Sequence, residues 1–311
     1  MTNYIIKRII QAVLSIIVIL TLLFFMLNLL PGDAALLAGD PRAARNPEVM
    51  ERMRARWGLD QPLHIRYATY MSNLLRGDLG MSYRTGRTVN SLIAQSFFPT
   101  LQIVLFAFLL AAPSGVILGF IAAVRRGSSL DIGSMVFAIF GISAPRFWVG
   151  LMLMYLIAVN LRLLPATGYG GGSIRYMILP AITLALPLVA LLARTTRAAL
   201  LDVMDEDYVR TARSKGLSER VVQTRHILRN AVVSIITIAG LQLAMLMANT
   251  VIVEKVFSWP GMGSLVVDSV LRQDIPAVQG CIFVFALGFI LINFIVDILY
   301  IFIDPRIKYG S

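Results

Sequence analysis

The chain has 311 residues, of which 58% are hydrophobic and only 14% charged, and it carries a net charge of +11. Soluble domains run near roughly 25% charged residues, so clustered apolar residues at this composition exclude an ordinary soluble protein; the mean hydropathy of +0.77 agrees. A lone cysteine, Cys281, excludes an intrachain disulfide, and two distant histidines, His64 and His226, have no ligand spacing, so no metal site is expected.

Residues 9–30 form the first apolar run, preceded by Lys7 and Arg8. About 22 residues at 1.5 Å each reach roughly 33 Å, enough to cross a bilayer. The run is too long for a signal-peptide core and no A-x-A site follows, so a retained anchor ending at Pro31-Gly32-Asp33 is expected. Residues 33–96 are polar, with nine arginines against six acids. A loop this long does not reveal its side of the membrane by charge. Pro47 followed by residues 48–57 predicts a short amphipathic helix; the rest is turn-rich, as in GDLG at 77–80.

The second span is expected over 97–124. Its Ala111, Gly115, Gly119 and Ala123 recur every four residues and make one smooth face for a neighbouring helix. Arg125, Arg126 and Gly127 close it. The third span, 132–161, contains Pro145 and an embedded Arg146. A GYGGGS loop at 168–173 leads to the fourth span, 174–201, where Pro180 and Pro187 predict kinks. A charged stretch covers 202–230. The fifth span, 231–253, repeats the small-residue spacing with Gly240, Ala244 and Ala248. In 254–276, Pro260, Gly261 and Gly263 forbid one regular helix, and the length suits a loop dipping into the outer edge of the membrane. The sixth span is 277–303, followed by the tail 305–311. The fold class is therefore an all-α integral membrane protein with six transmembrane helices.

The short basic clusters set the orientation. Lys7/Arg8, Arg125/Arg126 and Arg306/Lys308 fall on one side of a six-span arrangement together with the charged stretch, and Lys and Arg accumulate on the cytoplasmic side. Both termini are expected in the cytoplasm, with 33–96 and 254–276 outside it.

The charged stretch reads as a helical hairpin. Asp205, Glu206 and Asp207 suit the start of a first helix, and Arg213 and Lys215 its end, each complementing the helix dipole. Gly216 is placed as the left-handed residue that ends that helix. Ser218 fits the N-cap of a second helix carrying Val221, Val222 and Ile227. A DNA-binding helix-turn-helix shares the Gly-Leu-Ser turn and the basic second helix, but a short segment pinned by two spans does not fit a groove, and no nucleic acid is expected. A helix lying on anionic lipid is the bland reading. A docking helix for a cytoplasmic partner is the sharper one, favoured by the fixed bend at Gly216. GYGGGS lacks the Lys-Ser/Thr of a phosphate-binding loop, and no G-x-x-x-x-G-K-[ST], nucleophile elbow or H-E-x-x-H occurs anywhere. No catalytic residues are expected.

Several motifs resemble one family. Tyr208–Leu217 (YVRTARSKGL) and Arg225–Ala231 (RHILRNA) resemble the cytoplasmic "EAA" loop of ABC-importer permeases, in the form found in dipeptide/oligopeptide permeases. Leu29-Leu30-Pro31-Gly32-Asp33, WGLDQPL at 57–63, GDLG at 77–80, Pro99-Thr100-Leu101 opening the second span and VEKVFSWPGMG at 253–263 match the family along nearly the whole chain. The pattern S-x-P-x-F-W-x-G is present at 143–150, with Arg146 where a neutral residue is usual.

The resemblance implies a type I ABC-importer permease fold with an extracytoplasmic loop region (33–96), a permease core (97–304), a cytoplasmic coupling loop (202–230) and a bacterial inner-membrane location. The chain would carry no cofactor, with ATP and Mg bound by partners. Those partners are two cytoplasmic ATP-binding subunits, a second permease subunit and an extracytoplasmic solute-binding protein. Glu206, Asp207, Tyr208, Thr211, Ala212, Lys215, Gly216 and Leu217 would couple to the ATPase. Arg146, Asn249 and Glu254 are the pathway candidates; Arg146 could attract an anionic group, or snorkel or pair instead. Asn249, Asn293 and Asp297 fit interhelical hydrogen bonds at least as well. Trp259, Pro260 and Gly261 would face the binding protein. Di- or oligopeptides are the expected cargo, with nickel, glutathione, opines or oligosaccharides as alternatives within the family. An ion-coupled secondary transporter is a remote alternative, for which Asp297 is the clearest embedded acid.

Overall fold

The computed structural model describes residues 2–29 and 47–303. The Pro31-Gly32-Asp33 ending of the first span and the tail from Asp304 lie outside the described residues. Helix α1 is Thr2–Leu29, α2 is Pro47–Trp57, α3 is Leu63–Leu75 and α4 is Val89–Val124. Next come α5 (Ser129–Ser143), α6 (Arg146–Asn160), α7 (Ile174–Met204) and α8 (Asp207–Ser214). The described chain closes with α9 (Glu219–Val256), α10 (Met262–Leu271) and α11 (Ile275–Ile303).

Among the described residues, five helices are long and apolar enough to cross a membrane: α1, α4, α7, α9 and α11. The pair α5 and α6, bent by 106°, makes a sixth if the two count as one broken span. The region expected as the third span, 132–161, is therefore two helices with a sharp bend between them. The cause is local: a residue before proline is driven out of the helical region, and Ala144 (ψ 128°) and Pro145 (ψ 129°) are both extended. Pro180 and Pro187 act differently, because α7 runs unbroken through both. Two other boundaries move. Helix α4 begins at Val89, so Pro99-Thr100-Leu101 lies inside it rather than opening it. Helix α3 occupies part of the segment expected to be turn-rich, presenting Tyr67 and Tyr70 on one face.

The chain divides into two compact units. The first comprises residues 1–100 and 260–288. Its core gathers Val89, Ile93, Met262, Ala277 and Cys281. Phe24 of α1 stacks on Tyr70 of α3 with ring centroids 5.5 Å apart. The GDLG turn is held by side chains: Asp78 Oδ1 accepts from Gly80 N at 2.8 Å, and Asn90 Nδ2 donates to Gly77 O at 2.7 Å. Asp274, buried at 3% exposure, accepts from Ser82 Oγ (2.5 Å) and from Tyr83 N (3.0 Å). Burial raises the Tyr83 pKa above its ordinary value, with Arg66 pulling the other way.

The second unit comprises 101–259 and 289–311. Helix α7 is its centre, with buried positions along most of its length. The small-residue faces explain how the helices approach. A Cβ on Gly119 would lie 2.4 Å from the Ala193 carbonyl of α7, and one on Gly115 would lie 2.7 Å from Leu192 Cβ. Gly240 of α9 faces Val296 of α11 in the same way, at 2.5 Å. Such close contact supplies the packing that replaces a hydrophobic driving force inside lipid.

Candidate functional site

The charged hairpin is built as a lid with one greasy face. Asp205 caps the end of α7 and Glu206 is the N-cap of α8, so the first helix starts two residues later than the sequence suggests. Within α8, Val209 (0% exposed) and Ala212 (6%) point inward. They join Ala123, Leu200, Val222, Ile227, Ala231 and Ile235 in one buried cluster. That cluster draws on α4, α7, α8 and α9, so the hairpin is seated on three membrane helices.

The opposite face is exposed. Glu206, Asp207, Tyr208, Thr211, Lys215, Gly216 and Leu217 are all exposed. Two of them are large and apolar: Tyr208 is 42% exposed and Leu217 41%. Ala212 differs from the other coupling candidates, because its side chain is buried in the seat. Gly216 has φ +75° with nothing within 4 Å of a Cβ built on it, so backbone conformation and not space demands glycine. Ser218 holds the N-cap backbone position but its side chain makes no capping bond, contrary to expectation. Instead, Arg213 clasps the start of the second helix: Nε and Nη2 donate to Glu219 at 3.2 and 3.0 Å. That bond raises the Arg213 pKa above its ordinary value. Beyond Val221, α9 widens into a π-helical stretch, Val222–Leu228, before resuming α geometry. Such stretches interrupt the regular ladder and frequently lie at functional positions.

The pathway candidates are brought together in part. Arg146 Nη1 donates to Asn249 Oδ1 at 2.9 Å, joining α6 to α9, while its Nε is buried with no hydrogen-bond partner among the described residues. Asn249 Nδ2 in turn donates to Met245 O at 2.8 Å. Glu254 is fully buried one turn further along α9, and its peptide oxygen accepts from Trp259 N at 2.8 Å. Of the embedded amides, Asn249 makes an interhelical bond, whereas Asn293 Oδ1 is buried without a partner among the described residues.

Of the three residues expected to face a binding protein, two are buried. Trp259 is 0% exposed, set edge-on against Tyr169 at 4.8 Å, and Gly261 is buried too. Only Pro260 of that trio is exposed. The aromatic ring finds more stabilisation in a packed pocket than at a surface.

A further pair escaped the sequence reading. Asp131, 4% exposed, accepts from Arg197 Nε at 2.6 Å and Nη2 at 2.8 Å, and from Gly127 N at 3.0 Å. It clamps the start of α5 to α7, one turn from Leu200 in the hairpin's seat. A signal existed: Ser128-Ser129-Leu130-Asp131 has capping-box spacing, and Ser128 Oγ accepts from Asp131 N.

Residues 115–309 match the family described as "Binding-protein-dependent transport system inner membrane component", and residues 1–104 match "Binding-prot-dependent transport system membrane comp, N-term". The chain is 43% identical over 309 residues to the glutathione transport system permease protein GsiC of Escherichia coli strain K12, covering 99% of this chain and 100% of that one. It is 41% identical, with the same coverage, to GsiC of Salmonella choleraesuis strain SC-B67. Two solved structures share the fold: an amino acid ABC transporter with histidines (TM-score 0.53, 16% identity, 68% of this chain and 94% of that chain) and the inward-facing MetNI methionine ABC transporter (TM-score 0.50, 15% identity, 68% and 96%).

Proposed function

Because the chain belongs to the family of binding-protein-dependent transport system inner membrane components, the multi-pass permease subunits of ABC importers, we propose that it forms, with a second permease, the route by which short peptides enter the cell. Two ATP-binding subunits drive the cycle from the cytoplasm, and this chain hydrolyses no ATP itself. A solute-binding protein delivers cargo on the far side, toward 33–96 and the exposed part of 254–276. Both termini face the cytoplasm. The relatives named for glutathione favour one specific cargo, since glutathione is itself a short peptide.

The observation that carries this reading is the hairpin. Its Val209 and Ala212 are locked into a core shared with α4, α7 and α9, while Tyr208 and Leu217 stand exposed beside charged residues. A surface that is apolar at its centre and charged around it suits a protein partner. Closure of the ATP-binding subunits pushes α8, the seat passes the push to three membrane helices, and the pathway alternates between outward and inward access. The contact residues on this reading are Glu206, Asp207, Tyr208, Thr211, Lys215, Gly216 and Leu217. Within the membrane, Arg146 and Asn249 face the solute and Glu254 supports them.

The test is co-purification of the permease pair with its ATP-binding subunits. The double variant Tyr208→Glu, Leu217→Glu is expected to release those subunits while the permeases still melt normally. Undiminished co-purification would overturn the assignment of this face.

A further inference from the structure

The first unit contains a cavity of about 730 Å³, within the size range of small-molecule sites. Its wall includes Asn28 of α1, Arg66 and Tyr70 of α3, the Trp57 and Tyr83 rings, and Gln279 of α11. Trp57 and Tyr83 stack with centroids 4.3 Å apart and supply a flat apolar wall.

The charged side chains on that wall are two arginines, Arg56 and Arg66, against one carboxylate, Asp78. Gln279 is only 6% exposed, and its amide Nε2 has no hydrogen-bond partner among the described residues. The Tyr70 hydroxyl is in the same condition. An amide nitrogen only donates, and burying a donor without an acceptor is unfavourable. Arg66 gives one of its N–H groups to Asn28 Oδ1 and brings a positive charge to the wall. Asp78, the cavity's carboxylate, has one oxygen engaged by its own turn, accepting from Gly80 N. Two cations against one carboxylate, with the Gln279 donor unpartnered among the described residues, favour an anion.

We propose that this cavity binds the carboxylate end of a short peptide, with Gln279 and Tyr70 donating to its oxygens, Arg66 balancing its charge, and the Trp57–Tyr83 pair flanking its side chain. Burial pushes the Tyr70 pKa up to about 12, which keeps the hydroxyl protonated and able to donate. The site would hold cargo on the outer side before it enters the membrane pathway. It rests on the reading that the cargo is a short peptide and that this unit faces outward.

The experiment uses the purified full-length permease in nanodiscs, titrated with alanylalanine, with its C-terminal amide and with glutathione. Alanylalanine and glutathione are expected to bind in roughly the millimolar range or tighter. The amide is expected to bind about tenfold more weakly, because a charge-assisted pair is lost. Tyr70→Phe, which removes one hydroxyl and little else, and Gln279→Leu should each weaken the free acid toward the amide. Thermal melting identifies any variant that has lost its fold. Equal binding of acid and amide, binding untouched by Tyr70→Phe, or no saturable binding would each overturn the site. If the assembled importer transports alanylalanine while the permease alone does not bind it, the site fails and the proposed function stands. If the importer moves no peptide at all, the functional proposal itself fails.

Discussion

Arg197 holds Asp131 in a two-pronged grip, Nε to Oδ1 at 2.6 Å and Nη2 to Oδ2 at 2.8 Å, across the α5–α7 contact. The carboxylate is 5% exposed and the guanidinium 24%. Removing one member of a buried pair leaves the other charge uncompensated, at a cost on the order of 3 kcal/mol. Arg197→Ala should therefore lower the melting temperature of the purified permease by several degrees, and Asp131→Asn should cost less because the amide still accepts. Unchanged melting for Arg197→Ala would show that the pair contributes little.

Gly216 should be intolerant of β-branched residues. Its φ of +75° costs an L-residue about 1–2 kcal/mol, and more for a branched one. We expect Gly216→Val to leave ATP hydrolysis by the assembled importer running while solute uptake falls. Charge reversal at the exposed Asp207 should do the same without strain. The measured ratio of ATP hydrolysed to solute moved checks both, and a wild-type ratio in both would contradict the coupling role.

Helix packing makes a separate prediction. A side chain at Gly119 meets the Ala193 carbonyl and Thr196, whereas one at Gly133 meets nothing within 4 Å. Gly119→Val should destabilise by about 1–3 kcal/mol or more through overpacking. Gly133→Ala should be neutral or slightly stabilising. Melting of the two variants side by side decides it.

Trp259 should behave as core. Fully buried against Tyr169, it is expected to cost about 3–5 kcal/mol on truncation to Ala, with a visible loss of folded protein. Pro260→Ala, on an exposed residue, should melt normally, so any effect on uptake there would report contact with a partner.

Arg146 separates charge from structure. With an anionic and a neutral peptide compared in the assembled importer, Arg146→Ala should reduce uptake of the anion more. Asn249→Leu, which removes the guanidinium's partner at 2.9 Å, should shift selectivity in the same direction. Equal loss for both peptides would mean that the pair only holds α6 to α9.

Much of this architecture could be read before any coordinates, because its signals are local. Twenty-residue apolar runs, charge bias at their ends and the Gly-Leu-Ser turn of the hairpin each lie within one stretch of chain. Glycine every fourth residue correctly marked where α4 meets α7. Helix α3 was missed: Leu63, Tyr67, Tyr70 and Leu74 stand at helical spacing, but the turn residues around them led to a turn-rich reading. The partners of Arg146 and Arg197 were not legible. They lie 103 and 66 residues away, and nothing local specifies which acceptor a long cation finds. The burial of Trp259 was not legible either: its neighbours Ser258 and Pro260 are exposed, and Tyr169, which packs against it, lies far away in sequence.

By itself, then, the sequence determined a multi-pass helical membrane protein with a charged hairpin between two spans, bent at a left-handed glycine. Those properties follow from hydropathy, charge and backbone sterics, each of which acts over a few residues. Tertiary structure decided that Ala212 is buried in the seat, that α5 and α6 meet at a 106° bend, and that Asp131 finds Arg197. Each of these depends on how one helix is rotated and seated against another, and that is set by the packing of all the helices together.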